Sequence, residues 1–427
     1  MRFPWLSRAP LRPEPLSESC GVRTLVALAA QVGYRQRYIE RRCGMNFIPY
    51  GRQWIDDQDH AAVAEALSDP MLTQGENVER FEQAIAEKVG ARYCVALSSA
   101  TAGLHLAVQA LGEEGDAVGL TSPNSFVATS NALLYSGHRP RFIDIDSKTG
   151  NVDIEQINSA LASETTVFMP VHFAGLPVEL GELSSAHNSS RLKIIEDASH
   201  AIGSKYRSGN SVGSCSHSLA TVFSFHPVKN LTTGEGGAIT TNDEEFYERL
   251  LRLRSHGIER EPARMSFVHE GPWYYEMQAL GFNYRMTGIQ AALGLSQLSK
   301  LDRFMSRRSE IVRAYNDELS AIDWLRTPLA SYRADVCYHL YVLQIDFAAI
   351  KMTRGAVMEK LKQRGIGSQV HYIPIYRQPY YRDRFGFEFA AFPETETYYS
   401  RCLSIPLYPA MTDDDVARVV NAVRALA

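Results

Sequence analysis

The chain of 427 residues is 45% hydrophobic and 22% charged, an ordinary globular balance, and its length calls for two domains rather than one small core. A formal net charge of −4 argues against the basic surface of a nucleic-acid-binding protein, and no apolar run approaches the roughly 18 residues of a membrane span. Neither a nucleic acid nor a membrane is therefore an expected partner, while a local pocket for an anionic small molecule stays open.

The first 44 residues stand apart from the rest. They hold eight arginines, four prolines and three acids, but no lysine. The short apolar run 25–32 has basic residues on both sides and no clean cleavage site after it, against a signal peptide. Residues 1–44 read either as a disordered or loosely helical extension or as a stretch upstream of the true start. The second reading is preferred, because MNFIPYGRQ from Met45 opens the globular-looking part.

From Tyr93 onward, short apolar runs alternate with helical patterns. Strands are predicted at 93–97, 117–120, 140–145, 166–171, 192–196, 219–225 and 237–241, the last paired beside its predecessor. Helices are predicted at 101–111, 125–135 and 154–161. The strands lack polar alternation, so the pattern predicts an α/β fold whose mostly parallel sheet is covered on both faces. After Asp243 the chain turns helical, with a long amphipathic stretch at 289–304 expected to continue through 307–319. An antiparallel strand at 338–345, a helix at 354–363, a strand at 369–371 and a final helix at 413–427 complete a smaller α+β part. The expected organisation is an extension over 1–44, a large domain with an N-terminal arm over 45–300 and a small C-terminal domain over 301–427. The six cysteines, Cys20, Cys43, Cys94, Cys215, Cys337 and Cys402, form no CxxC pair and no zinc-spaced cluster, which reads as free thiols in a reducing cytoplasm and no metal.

Open parallel sheets bind ligands at the carboxyl ends of their strands. Strand 93–97 is followed by Ser98, Ser99, Ala100 and Thr101 at a helix start. The N–H groups and dipole there would hold an anion, most simply a phosphate, although a plain N-cap accounts for the same hydroxyls. Strand 192–196 runs into Asp197, with His200 three residues on; an acid at that place also serves as a cap or ion-pair partner. Ser224, His226 and Lys229 stand at a third strand end, just ahead of Gly234, Gly236 and Gly237. A lysine snorkelling to water is the competing reading of Lys229. An anion cradle, a carboxylate and an amine together match pyridoxal 5'-phosphate, which carries a phosphate, a pyridine nitrogen and an aldehyde that condenses with lysine. The carboxylate would keep the ring nitrogen protonated, since unit charges about 4 Å apart are worth roughly 4 kcal/mol at an effective dielectric near 20. Partial burial near other positive charge would lower the lysine from its ordinary pKa near 10.4. The glycines are expected to let the backbone approach the cofactor without Cβ clashes.

The segments SSATAGLHLA, TSPNSFVATSNALLYSGHRPRFIDID, PVHFAG, EDASHAIGS, FSFHPVKNLTTGEGGAITT and LGFNYRMTGIQAALGLSQL resemble, in this order, the DegT/StrS family of sugar-nucleotide aminotransferases. The resemblance runs from about Met45 to the C-terminus. It implies the type I fold of pyridoxal-phosphate transferases, aspartate-aminotransferase-like, with a large mostly parallel sheet domain and a smaller α+β C-terminal domain. It implies Lys229 as Schiff-base lysine and proton shuttle, Asp197 as partner of the ring nitrogen, and His200 near the ring hydroxyl. Phe126 would stack on the ring, and Ala100, Thr101 and Ser224 would cradle the phosphate. Asn283 would reach the phosphate of a neighbouring subunit, which puts the active sites at the interface of a cytoplasmic homodimer. LTQG at 72–75, HPVK, and QVHYIPIYRQPYYR at 369–382 look like the branch that makes a pseudaminic acid precursor. That branch moves an amino group from glutamate to C4 of a UDP-linked 4-keto-6-deoxy-N-acetyl sugar, and Thr73, Gln74, His371 and Tyr372 would face the sugar. Simple packing is the competing reading of the aromatic run 372–381, and another nucleotide 4-keto or 3-keto sugar, as in perosamine-type enzymes, is the alternative substrate. The sequence departs from the family at GIQ (288–290), where an acid is common before IQ, which concerns a helix start more than the chemistry. A related dehydratase has histidine in place of the lysine, which Lys229 argues against. A lyase or decarboxylase of the same fold is excluded only by the family motifs. A regulator on an inert copy of the fold would have lost Lys229 or Asp197, and both are present.

Overall fold

The computed structural model describes residues 47–112, 117–153, 156–157, 165–183, 192–267, 271–328 and 332–427. Contacts divide the chain into two units, Met1–Phe47 and Ile48–Ala427, and apart from Phe47 every described residue belongs to the second. The readings made of 1–44, and most of the helix expected at 154–161, lie outside the described residues.

Seven strands form the main sheet: β1 (Tyr93–Leu97), β2 (Val118–Thr121), β3 (Arg139–Phe142), β4 (Thr165–Met169), β5 (Lys193–Asp197), β6 (Ala220–Ser224) and β7 (Gly237–Thr241). Their spatial order is β1-β7-β6-β5-β4-β2-β3, parallel throughout except for β7, which runs against β1 and β6. Strands β2, β4, β6 and β7 are buried along their whole length, the physical reason that they carry no charge and show no apolar–polar alternation. Successive side chains leave opposite faces. Val95, Val222 and Ile239 pack with Leu104 and Val108 of the helix Ala100–Gln109, whereas Ala96, Phe223 and Ala238 pack with Phe81 and Ile85 of the helix Glu76–Val89. This α/β architecture with its mostly parallel sheet is the expected fold class.

A second sheet holds β10 (Leu325–Arg326), β11 (Tyr341–Ile345) and β12 (Cys402–Ile405), all antiparallel. Ile311 and Tyr315 of the helix Leu301–Leu319, with Val419 and Val423 of the helix Asp413–Arg424, share a core with Tyr341, Leu343 and Leu403 of that sheet. A two-stranded ribbon of β8 (Ile258–Glu259) and β9 (Glu276–Met277) completes the described strands.

The structure departs from the sequence expectations at three places. The long helix expected from 289 to 319 is two helices, Gly288–Leu298 and Leu301–Leu319. No Gly or Pro marks the break. The buried Lys300 ammonium at the break pairs with Asp56 and Asp59, 2.7 Å from each, partners remote in sequence. The strand expected at 369–371 is a single bridge between Gln369 and Ser404, after which the chain turns along the cavity described below. The strand expected at 140–145 ends at Phe142, and Ile145 instead bridges to Val152 across a turn.

Candidate active site

The carboxyl ends of β1, β5 and β6 open into a cavity of about 650 Å3. Ala100, Thr101, Phe126, Asp197, His200, Ser224, Lys229, His371 and Tyr372 all line it. Asn283, Thr73 and Gln74 do not. Asn283 bridges to Ser255, Thr73 bridges to Thr287, and Gln74 borders a separate cleft with Arg254 and Arg285.

Lys229 follows β6 in a tight turn in which its N–H donates to the His226 carbonyl at 2.9 Å. The next residue pins that turn: Asn230 Nδ2 donates to the His200 carbonyl at 3.1 Å and lies 3.3 Å from the Cys337 carbonyl. Desolvation by the cavity walls lowers the Lys229 amine from 10.5 to about 8, against the upward pull of the Asp197 carboxylate. An amine near 8 is a neutral nucleophile in a useful fraction of molecules at physiological pH, which a snorkelling lysine is not.

Asp197 ends β5 and is buried. Its Oδ1 accepts the Ser199 N–H at 3.1 Å, and its Oδ2 accepts the Thr129 hydroxyl at 2.6 Å. His200 is buried beside it. Its Nδ1 accepts the Ala174 N–H at 3.3 Å, so the ring proton sits on Nε2, which faces the Tyr372 hydroxyl at 3.2 Å. Burial, with Lys229 and His371 nearby, holds His200 well below the usual imidazole range. His371 is anchored through Nδ1 to Ser404 Oγ at 2.7 Å, and burial followed by the Lys229 charge pushes it down to about 3. Both imidazoles are therefore neutral hydrogen-bonding groups at working pH.

Ser99 caps its own helix, its Oγ accepting the Ala102 N–H at 3.1 Å. The capping reading of that hydroxyl holds, and it leaves the first-turn N–H groups of Ala100 and Thr101 without intrahelical acceptors at the cavity wall. Ser224 brings a further hydroxyl to the same wall. The glycines act differently from expectation, for none of Gly234, Gly236 and Gly237 lines the cavity. A Cβ on Gly237 would stand 2.5 Å from Ala100 N and 2.6 Å from the Ser99 carbonyl carbon. The missing side chain thus admits the helix start against β7, and so places the anion cradle rather than the cofactor.

Sequence reading missed several lining or supporting residues. Tyr50, His339 and Gln369 line the cavity, Asn124 accepts the Tyr372 N–H at 3.2 Å, and Thr129 holds Asp197. Tyr50 and His339 carry no local signal, since each reaches the site from a distant segment, whereas Asn124, Thr129 and Gln369 lie inside the motifs around Phe126 and His371 but look there like ordinary polar residues. Behind Asp197 lies a separate network: the buried Glu196 carboxylate accepts from His172 Nε2, Tyr206, Ser218 and Thr221. Among the described residues, no group of three or more His, Cys, Asp or Glu side chains could hold a metal ion, and no helix is long and apolar enough to cross a membrane.

The donor set fits pyridoxal 5'-phosphate: an amine of lowered basicity, a fixed buried carboxylate and a helix N-terminus with a serine share one cavity. Comparison with known proteins agrees. The sequence model of the DegT/DnrJ/EryC1/StrS aminotransferases matches residues 53–424. The spore coat polysaccharide biosynthesis protein SpsC of Bacillus subtilis is 40% identical over 381 residues, covering 89% of this chain and 97% of that protein. PseC of Helicobacter pylori, an aminotransferase involved in pseudaminic acid biosynthesis, superposes with a TM-score of 0.83 at 31% identity, over 89% of this chain and 99% of that one. A structure from Streptococcus pneumoniae described as a sugar aminotransferase, in its PLP form, gives a TM-score of 0.79 at 27% identity, over 89% and 98%. Fold, cavity chemistry and these relatives converge: the chain belongs to the DegT/DnrJ/EryC1/StrS family, the pyridoxal-phosphate-dependent sugar aminotransferases of fold type I.

Proposed function

We propose that this enzyme moves an amino group from glutamate to C4 of a UDP-linked 4-keto-6-deoxy-N-acetyl-hexose, yielding a precursor of pseudaminic acid. The observation that carries the reading is the Lys229 amine, lowered to about 8, in one cavity with Asp197. The likeness to PseC supports the choice of sugar.

Pyridoxal phosphate, when bound, supplies the aldehyde and the electron-withdrawing ring. The chain's own residues do the rest. The N–H groups of Ala100 and Thr101 and the Ser224 hydroxyl bind the phosphate. Asp197 accepts the ring N–H and keeps that nitrogen protonated. Phe126 would cover the ring, and His200 Nε2 would hydrogen-bond with the ring hydroxyl. Lys229 Nζ would hold the aldehyde and, when free, would act as the base at the donor Cα in one half-reaction and as the acid at the sugar C4 in the other. His371, neutral and buried, and Tyr372, neutral and partly buried, suit recognition of hydroxyl and amide groups rather than of phosphate. Asn283 serves the site of a second copy in a cytoplasmic homodimer under this reading. The two separate sheets support a division near residue 300 into a cofactor-holding part and a smaller part.

The higher identity to SpsC favours a second reading, an aminotransferase for another nucleotide 4-keto or 3-keto sugar. Incubating the holoenzyme with glutamate and a panel of UDP- and dTDP-linked 4-keto sugars, with products read by mass and NMR, separates the two. A C4 amine formed on the UDP-N-acetyl sugar is expected. Turnover of dTDP sugars alone would transfer the assignment to the second reading, and protein that stays colourless with added cofactor would end both.

A further inference from the structure

Thr129 lies in the first turn of the helix Ala128–Tyr135 with no exposed surface. Its Oγ1 is 2.6 Å from Asp197 Oδ2, 2.8 Å from Ser125 Oγ and 3.4 Å from the Phe126 carbonyl. A hydroxyl has one proton, and an ionised carboxylate only accepts. The Thr129 proton therefore goes to the carboxylate at the short distance, and Ser125, itself buried, is left to donate to Thr129. The hydroxyls form a directed chain from Ser125 through Thr129 to Asp197. The Ser199 N–H holds the other carboxylate oxygen at 3.1 Å. With one donor on each oxygen, the plane of the carboxylate is set. Among the described residues no other side chain donates to Asp197.

We infer that Thr129 is a positioning residue for this aminotransferase: oriented by Ser125, it holds the Asp197 carboxylate in the rotamer that meets the cofactor's ring nitrogen. The inference rests on the role of Asp197 given above. Ser125 and Thr129 flank Phe126, so the same short segment would carry the group that covers the ring and the group that aims its counter-charge. Hydrogen bonds to an ionised acceptor are about twice as strong as neutral ones, so one lost hydroxyl should be measurable.

The test compares Thr129→Val, which keeps the shape and removes the hydroxyl, with Thr129→Ser, which keeps the hydroxyl. Apoenzyme is titrated with pyridoxal phosphate for Kd, the visible band of the loaded protein is titrated with pH, and kcat and KM are measured separately. In Thr129→Val the Kd for pyridoxal phosphate should rise at least about tenfold and the midpoint of the band should shift, as loss of a hydrogen bond to a charged group implies. The fall in activity should lie in kcat, with KM for the sugar little changed, and Thr129→Ser should restore Kd and the band midpoint. A purely structural role would lower the melting temperature and leave the midpoint alone. Thr129→Val protein with the wild-type Kd and midpoint would overturn the inference. If that variant fails to fold, Ser125→Ala decides: a weaker rise in Kd with the same direction of midpoint shift supports the chain, and no change overturns it. Wild-type protein that takes up no pyridoxal phosphate would overturn the cofactor site itself, and this inference with it.

Discussion

The basicity of Lys229 should control how fast the apoenzyme captures its cofactor, because only the neutral amine attacks an aldehyde. Burial disfavours the ammonium and lowers this amine from 10.5 to about 8, while Asp197 works in the opposite direction. At pH 7.5 an amine of pKa about 8 is about one-quarter neutral, against about one part in a thousand for an ordinary lysine, a gain of roughly two hundredfold in reactive species. Stopped-flow mixing of apoenzyme with pyridoxal phosphate, following the visible band, reads this directly. The rate should climb about tenfold per pH unit below the midpoint near 8 and level off above it. Asp197→Asn removes the group that raises the amine's pKa and should move the midpoint lower. A rate that keeps rising in proportion to hydroxide up to about pH 10, the behaviour of a solvated lysine, would refute the reasoning. The same shift has a stability counterpart. Between about 8 and 10.5 the unfolded chain binds the proton that the folded chain has released, so the apoprotein should gain stability as pH rises through that window.

Two further outcomes follow from the packing around the site. Gly237→Ala would force a Cβ to within 2.5 Å of Ala100 N, and overpacking of this kind costs about 1–3 kcal/mol. Both the melting temperature and the affinity for pyridoxal phosphate should fall, and an unchanged melting temperature would mean that the helix start is not wedged there. Glu196→Ala would leave His172, Tyr206, Ser218 and Thr221 with no carboxylate to receive their protons, a loss of about 3–5 kcal/mol in denaturant unfolding. Burial alone would raise the Glu196 pKa, but the hydrogen bonds from His172, Ser218 and Tyr206 and the His172 charge bring it below the ordinary value. The stability it contributes is present above the unfolded carboxylate pKa and is lost as pH falls through the lower folded value. A variant as acid-resistant as the wild type would contradict this.

Much of the fold was legible because both faces of the main sheet are buried. Runs without polar alternation at 93–97, 219–225 and 237–241 lie within two residues of β1, β6 and β7. The break at Lys300 was not legible, since its ion pairs come from Asp56 and Asp59 and no local breaker marks it. Lys229 and Asp197 stood out as charged groups at the ends of apolar strands within a recognisable set of motifs. Thr129 did not, because one threonine in ATSNALLY looks like any other until its partner, 68 residues on, is placed. Gly237 was read correctly as steric relief but assigned to the wrong neighbour, since nothing local says that a helix start packs on it.

The sequence by itself determined roughly where the seven strands of the main sheet fall, and which strand ends carry an amine, a carboxylate and hydroxyls, because periodicity and residue chemistry are local properties. Only the tertiary structure decided that those ends share one cavity, which hydroxyls aim the carboxylate, and how far the lysine's basicity falls. Desolvation and Coulomb interaction depend on distances between residues that the chain order leaves far apart.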